Sequence, residues 1–339
     1  MLAVQIEKLT TTDAFIVFDL NGAPGAGVVR SAPKILVDGA TALARTLTYR
    51  FATFERQVGG ASAGVNAKPD DRPAAIAAFV AEALELVASG RLLVEPARGV
   101  SPEDLAELRQ ADPRPDAYWD RHDELTALGV AVAAAAAAGS LDGRTVAIEG
   151  FDHVGVLVAA ELARRGAQVV AIGTTEGSVR ATSAFDTEDL SSAWAERGPG
   201  CVAELGAEVE PPSAVLGMPT DVLVAGSKPG VVDDAVAARV GARVVVPSGP
   251  VPVTAKALAV LRRAGTTVLP DFVTTAGALF AGWPTDPAAD PAAEATAAIA
   301  ASLGEVLAHD DGPLLAACYR AESFLATWQE ERPFGRPLA

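Results

Sequence analysis

The chain has 339 residues, 50% of them hydrophobic, and carries a formal net charge of −16 at pH 7. This length and composition are typical of a globular protein with two domains. Nucleic-acid binding relies on clustered Lys and Arg that displace counterions from phosphates, so the acidic balance argues against a nucleic-acid partner. The stretch closest to a membrane span, residues 130–138, is shorter than the roughly 20 apolar residues that cross a bilayer, and we expect no membrane association.

Compartment and metal content are predicted from the first residues and the cysteines. Residues 1–8 lack the basic and then apolar pattern of a secretory signal. Cys201 and Cys318 stand far apart without metal-type spacing, which predicts buried, reduced thiols rather than a disulfide or a zinc site. We therefore expect a cytoplasmic protein without a bound metal.

The first part of the chain reads as short strands followed by alternating helices and strands. The spacing of apolar residues predicts strands at 4–8, 14–18 and 91–94 and helices at 37–50 and 74–89. A proline-broken stretch at 112–116 then precedes a helix predicted at 125–138, which indicates a domain junction.

The second part alternates strand and helix more regularly. It contains predicted strands at 146–148, 168–172, 221–225, 243–246 and 267–269, predicted helices at 156–165, 231–240 and 254–264, and two closing helices at 292–308 and 313–330. Such alternation predicts an α/β fold with a mainly parallel, doubly wound sheet. We divide the chain into domains at 1–128 and 129–310, with helices at 311–339 packing back and an interdomain cleft as the default site.

The segment from Gly150 to Gly155 has the outline of a dinucleotide-binding turn between a strand and a helix. In a working turn, a middle glycine lets pyrophosphate approach the positive end of the helix. Asp152 takes that position and adds bulk and negative charge. Two interpretations stay open: Asp152 caps its own helix, or a residual NAD or NADP site uses Gly150, Asp152, His153, Val154 and Gly155.

Five short segments follow one another in a fixed order, namely 27–30 (GVVR), 47–50 (LTYR), 58–64 (VGGASAG), 124–130 (ELTALGV) and 270–277 (PDFVTTAG). Their order and separations resemble the motifs of the glutamate/leucine/phenylalanine/valine dehydrogenase family. The resemblance implies an N-terminal α/β domain for substrate binding and oligomerisation, followed by a Rossmann-like cofactor domain. It also implies an oligomeric enzyme that converts an amino acid into a 2-oxo acid with NAD or NADP.

Position by position, the resemblance puts the family's carboxylate-binding lysine at Arg50, its catalytic lysine at Ser62 and its proton-shuttling aspartate at Ala97. An arginine can still hold a carboxylate. Serine and alanine cannot do acid/base work at neutral pH, so we expect ordinary oxidative deamination to be lost. On the cofactor side, the ribose-binding acid falls on Thr174 and two asparagines fall on Pro250 and Thr275.

Further side chains are candidates for a changed site. Arg30 and Arg50 together are predicted to hold a substrate carboxylate, and Thr126 lies in the motif that opens the cofactor domain. Lys228 follows a predicted strand at the edge where open parallel sheets bind ligands. His122, near the junction, is a candidate general acid or base. The alternative for each charged residue is a solvated loop charge or a surface ion pair.

Two functions remain open from the sequence. The first is an enzyme with changed chemistry, an NAD(P)-dependent oxidoreductase acting on a small carboxylated amine, imine or oxo compound. The second is a non-catalytic relative that binds a small anion or serves as the partner of an active homologue. In either case we expect a homodimer or larger homo-oligomer, or an assembly with a homologous subunit.

Overall fold

A computed structural model of the chain describes residues 4–206, 208–331 and 335–338. It divides into two compact units, residues 1–114 with 318–337 and residues 115–317 with 338–339. The two units divide after Arg114, in the proline-rich stretch 112–116. The domain boundary predicted at residue 128 lies inside the helix that spans residues 116–138. Residues 116–124 form the first part of that helix. Because most of them are polar, the spacing of apolar residues does not predict them to be helical.

The first unit is built on a five-stranded sheet. Its elements are β1 (Gln5–Lys8), β2 (Ala14–Phe18), β3 (Gly25–Ala32), α1 (Val37–Thr53), β4 (Gly59–Asn66), α2 (Arg72–Ala88), β5 (Leu92–Pro96) and α3 (Ala106–Ala111). The strand order is β1-β2-β4-β3-β5. Strands β3, β4 and β5 are parallel, and β2 runs antiparallel to both of its neighbours.

Each face of this sheet is covered by one long helix. The face that carries Ala61 and Val29 packs against α2 through Phe79 and forms the main core of the unit. The opposite face lies against α1, and glycines of β4 allow a close approach. A Cβ on Gly60 would lie 1.7 Å from the carbonyl oxygen of Ala44 in α1, so only glycine fits there.

The second unit contains the predicted doubly wound sheet. Its elements are α4 (Asp116–Ala138), β6 (Thr145–Glu149), α5 (His153–Ala163), β7 (Gln168–Gly173), β8 (Ser178–Arg180), α6 (Thr187–Arg197), α7 (Val202–Leu205), β9 (Val222–Ala225), α8 (Asp234–Ala237), β10 (Val244–Pro247), α9 (Ala255–Arg263), β11 (Thr267–Val268), α10 (Asp271–Thr274), α11 (Leu279–Gly282) and α12 (Pro291–Val306). The last helix, α13 (Pro313–Leu325), begins in this unit, and its residues from Cys318 onward belong to the first unit. The strand order is β11-β10-β9-β6-β7-β8, with only the β7–β8 pair antiparallel among these strands. The prediction of a mainly parallel, doubly wound sheet is therefore confirmed.

The end of the chain contributes to the first unit. Residues 318–337 group with the N-terminal residues, and the Tyr49 hydroxyl of α1 donates a hydrogen bond of 3.1 Å to Glu322 of α13. Cys201 and Cys318 are both buried and are not joined in a disulfide. Within the described residues, no helix has the combination of length and apolarity needed to cross a membrane.

Candidate functional site

In the turn between β6 and α5, a glycine sets the backbone conformation and a carboxylate caps the helix that follows. Gly150 has a φ of +77°, and a Cβ there would lie 2.9 Å from the backbone of Ser227. Asp152 is extended and is the N-cap of α5. Its Oδ1 accepts hydrogen bonds from the amides of Val154 (3.0 Å) and Gly155 (2.9 Å). The amides that a dinucleotide turn offers to pyrophosphate are thus bonded to the chain's own carboxylate.

The end of β7, where a ribose-binding acid is implied, is also engaged internally. Thr174 is buried, and its hydroxyl donates to the carbonyl of Pro199 at 2.7 Å. Its amide donates to Gly177 at 2.7 Å, while Glu176 is exposed. A pyrophosphate bound at this turn in the family manner would have to displace Asp152 Oδ1 from the amides of Val154 and Gly155.

A buried acid next to this turn escaped sequence reasoning. Glu149 ends β6 and accepts hydrogen bonds from the amides of Gly226 (3.1 Å) and Ser227 (3.2 Å) and from the Ser227 hydroxyl. These bonds hold the start of the loop after β9. The next residue, Lys228, is exposed. An acid at the end of an otherwise apolar strand is the signal that could have found Glu149.

His122 belongs to a three-residue cluster. Its Nδ1 lies 2.9 Å from Asp123 Oδ1, and Nε2 of His153 lies 3.2 Å from Asp123 Oδ2. The two hydrogen bonds, first from His122 and then from His153, hold the pKa of Asp123 far below its usual value. The bond to Asp123 raises the pKa of His153. Asp123 thereby ties the start of α4 to the first turn of α5, a link that sequence spacing did not suggest.

Two of the family-like motifs pack against each other. A Cβ on Gly277 would lie 1.7 Å from the carbonyl oxygen of Leu125, and one on Gly129 would lie 2.8 Å from the carbonyl oxygen of Thr274. These glycines allow α4 to approach the segment after β11. Thr126 is half-buried at this contact.

The loops after β9 and β10 meet closely and include a strained residue. A Cβ on Gly226 would lie 2.2 Å from the Gly249 amide nitrogen. Val251, which follows Pro250, has a φ of +51°, a conformation that costs a β-branched residue about 1–2 kcal/mol. Its amide donates to buried Asp271 at 2.8 Å, which holds the loop in place.

In the first unit, Ser62 lies in the middle of β4 opposite Val28 of β3. Its side chain is fully buried, and its hydroxyl oxygen has no hydrogen-bond partner in the described part of the chain. A serine acts as a nucleophile only when a base takes its proton. Among the described residues no base is hydrogen-bonded to Ser62 that could take its proton.

Arg30 lies near the carboxyl end of β3, level with Gly64 of β4. On its other side, the amide of Ala97 donates to Val29 and the carbonyl of Arg98 accepts from Ser31, both at 2.9 Å. Burial and then the charge of Arg98 lower the pKa of Arg30. Its Nε and Nη2 are buried without a hydrogen-bond partner among the described residues.

Arg50 lies elsewhere on the same face. The Gly60 amide donates to the Thr48 hydroxyl at 2.9 Å, whereas Gly64 contacts Ile35 before α1, so α1 runs antiparallel to β4. On the β5 side, the backbone neighbours of Arg30 are Ala97 and Arg98. The joint binding of a carboxylate by Arg30 and Arg50 stays a prediction. Sequence alone could not give the direction in which α1 crosses the sheet.

Comparisons with known proteins agree with this architecture. A family model described as Glutamate/Leucine/Phenylalanine/Valine dehydrogenase matches residues 120–282. Glutamate dehydrogenase of Aeropyrum pernix is 27% identical over 294 residues, which cover 75% of this chain and 66% of that protein. NADP-specific glutamate dehydrogenase A1 of Halobacterium salinarum is 25% identical over 291 residues, covering 77% and 68%. The match spans about two thirds of the length of these curated relatives.

Solved structures show the same fold at lower identity. The hetero-hexameric glutamate dehydrogenase of Thermus thermophilus, in a leucine-bound form, superposes with a TM-score of 0.77 at 21% identity over 95% of this chain and 88% of that one. L-tryptophan dehydrogenase of Nostoc punctiforme gives 0.67 at 18% identity over 96% of both chains. The motif order, the family-model match over residues 120–282 and the relatives together support membership of the Glutamate/Leucine/Phenylalanine/Valine dehydrogenase family, and the solved structures show the same fold.

Proposed function

We propose that this protein binds a small carboxylate in its N-terminal unit and does not catalyse NAD- or NADP-linked deamination of amino acids. The observation that carries the proposal is the cap on α5. Asp152 bonds the two amides of the turn at 2.9–3.0 Å, so a pyrophosphate there meets both a filled donor set and a like charge. Two such charges about 4 Å apart repel by roughly 4 kcal/mol at an effective dielectric near 20.

The substrate side supports the same proposal. Deamination in the family, as the resemblance implies, needs a lysine that activates water and an aspartate that moves protons. Ser62 and Ala97 stand at those positions, and the Ser62 hydroxyl has no basic partner in the described part of the chain. A missing acid/base group commonly costs two to four orders of magnitude in rate.

Carboxylate binding is supported by Arg30. A buried guanidinium with unsatisfied donors costs about 1–3 kcal/mol per lost partner. Nε and Nη2 are the two unsatisfied atoms of Arg30, and they are adjacent donors on one edge of the guanidinium. A carboxylate can accept from both at once and satisfy them. The ligand class is therefore a small carboxylated metabolite.

The test combines calorimetry with activity measurements on the full chain. We expect no binding of NAD or NADP at low micromolar concentration and no turnover near 1 per second on Glu, Leu, Val, Phe or Trp with either cofactor. A panel of small carboxylates should bind, and Arg30→Gln should abolish that binding while leaving the fold intact by circular dichroism. Low-micromolar cofactor binding together with turnover would overturn the proposal and favour the oxidoreductase with changed chemistry.

A second candidate function is that of a partner subunit. The structural neighbour from Thermus thermophilus is a hetero-hexamer, so more than one kind of chain assembles in that protein. A chain that keeps the fold and lacks the ionisable groups suits the non-catalytic role. Co-expression with a catalytically complete homologue from the same genome, followed by native mass spectrometry, should give mixed oligomers. Separate homo-oligomers of the two chains would exclude this role.

A further inference from the structure

Near its end, the chain folds back onto the first unit. The carbonyl of Gly335 accepts a hydrogen bond of 2.7 Å from Nη1 of Arg45 in α1. Arg336 donates to the two carboxylate oxygens of Glu322 in α13, at 2.7 and 3.0 Å. All four residues belong to the first unit. The end of the chain thus contacts two helices that are far apart in sequence, and it does so through adjacent residues.

The contacts of Arg336 suit an arginine in particular. Its planar guanidinium makes a paired hydrogen bond to one carboxylate, and its Cζ also lies 4.8 Å from the centre of the Tyr319 ring. A lysine ammonium would keep the charge but could not form the paired bond. Pro337, the next residue, is buried, so the packing of this segment is not confined to one side chain.

Glu322 joins three parts of the first unit. Besides the two bonds from Arg336, it accepts a hydrogen bond of 3.1 Å from the hydroxyl of Tyr49 in α1. Burial, and then the charge of Glu322, raise the pKa of Tyr49, so this hydroxyl keeps its proton and remains a donor at neutral pH. The hydrogen bond to Glu322 raises the pKa of Arg336. One carboxylate therefore links α1, α13 and the end of the chain.

Arg45, the second anchor, is buried with a charge partner of its own. Its Nε lies 2.8 and 2.9 Å from the two carboxylate oxygens of Asp19, and its Nη2 lies 2.8 Å from Oδ1. Because Asp19 already neutralises Arg45, the Gly335 carbonyl satisfies a further donor and is not needed for charge balance. The buried ion pair can therefore persist when the end of the chain detaches.

We propose that residues 335–337 form a latch over α1 and α13, and that this latch opens separately from the rest of the first unit and thereby loosens the second half of α1. The latch lies in neither a helix nor a strand, and Gly335 and Arg336 are exposed. Segments of this kind open at a lower free energy than the core. The side chain of Arg336 is 35% exposed, so salt should screen its pairing and favour the open latch.

Opening of the latch is measured by digesting the full chain with a carboxypeptidase and following the release of Arg336 by mass spectrometry. Glu322→Gln removes a charged acceptor, so we expect release to be roughly tenfold faster or more than in wild type. High salt should accelerate release from wild type and have little effect on Glu322→Gln. The control is Glu204→Gln, which removes the acceptor of the exposed Arg197–Glu204 pair in the second unit and should leave release unchanged.

The effect on α1 is measured by hydrogen–deuterium exchange of the full chain. Arg336→Gln should raise exchange at residues 45–53 roughly threefold or more and leave α5 unchanged. Arg336→Lys should give an intermediate increase, because it keeps the charge without the paired bond. Arg197→Gln is the matched control for loss of an exposed arginine.

Three results would overturn the latch. Equal release of Arg336 from wild type and Glu322→Gln would mean that this ion pair does not hold the end of the chain. Unchanged exchange at residues 45–53 in Arg336→Gln would mean that the segment does not restrain α1. A similar increase of exchange in α1 and α5 would indicate general destabilisation in place of a separate opening.

Discussion

Asp123 on α4 lies 3.2 Å from Nε2 of His153 in the first turn of α5, and this contact makes the junction of the two helices sensitive to pH. The hydrogen bond raises the pKa of His153. A raised folded-state pKa contributes stability below the unfolded-state value, near 6.5 for histidine, and that contribution disappears as the pH rises through the folded-state pKa.

We therefore expect the advantage of wild type over His153→Asn in thermal unfolding to be largest near pH 6 and to vanish at high pH. Since the pKa of Asp123 is lowered, its own contribution persists on acidification until the carboxylate is protonated. His309→Asn, in an exposed loop, serves as the control. Equal melting differences at pH 6 and pH 9 would contradict the link between His153 and Asp123.

Substitutions of Asp152 separate its capping role from its effect on nucleotides. Asp152→Ala should cost about 1 kcal/mol of unfolding free energy, as for other N-caps, and Asp152→Gly only a few tenths. Asp152→Gly should also tighten NAD or NADP binding at least tenfold, measured by calorimetry. Asp186→Ala removes the equivalent cap of α6, which bonds Glu188 and Asp189, and should lose similar stability without gaining nucleotide affinity. No gain in Asp152→Gly would mean that other groups exclude the cofactor.

Replacing glycine by alanine should change the free energy of unfolding in opposite directions at two positions, one in α1 and one in the strand that faces it. Gly60→Ala places a Cβ 1.7 Å from the Ala44 carbonyl, so the helix must move and the protein should lose several kcal/mol, as in overpacked cores. Gly39 is exposed inside α1 with nothing near its Cβ position, and Gly39→Ala should stabilise by up to about 1 kcal/mol. Urea unfolding of both variants tests the pair. A neutral Gly60→Ala would contradict the close approach of α1 to β4.

Glu55, two residues after the end of α1, has a backbone conformation that favours glycine. Its φ is +58°, and its side chain is exposed. Glu55→Gly should remove the steric cost and stabilise the protein by about 1 kcal/mol. Glu55→Ala, which keeps a Cβ, should be close to neutral, and equal effects of the two variants in urea unfolding would rule out backbone strain as the cause.

Ala97→Asp tests whether Arg30 binds the carboxylate ligand. An aspartate beside Arg30 should form an internal ion pair, raise the free energy of unfolding by about 1 kcal/mol and abolish carboxylate binding. Ala97→Asn, of the same shape without charge, should retain measurable anion binding. Undiminished binding in Ala97→Asp would mean that the ligand does not use Arg30.

The sequence was informative where local pattern and global fold agree. Apolar strands separated by amphipathic helices predicted the doubly wound sheet. The motifs around Gly129 and Gly277 were visible in the sequence, but their packing against each other is seen only in the structure. Asp152 had two physically reasonable interpretations, and only the hydrogen bonds to Val154 and Gly155 choose the cap. An aspartate at this position is compatible with a helix cap and with a residual dinucleotide site, so the sequence pattern could not distinguish between the two.

The sequence was uninformative where side chains from distant positions meet. Nothing in local spacing pairs Asp123 with His153, or Glu149 with Ser227, because these contacts depend on how strands and helices are stacked. The neighbours of Arg30 depend on the register of β3 with β5 and on the turn at Gly99. Such contacts require the tertiary arrangement.

The cap on α5 also affects how the protein responds to conditions in the cell. A fold whose helix terminus is completed by a bound nucleotide gains stability in proportion to the logarithm of the free nucleotide concentration. In this chain the helix is capped by Asp152, which is part of the chain itself and is therefore present in every molecule whatever the nucleotide concentration. The second unit should therefore remain equally folded whether cells are rich or poor in nicotinamide nucleotides, and its abundance should not follow the metabolic state that those nucleotides report.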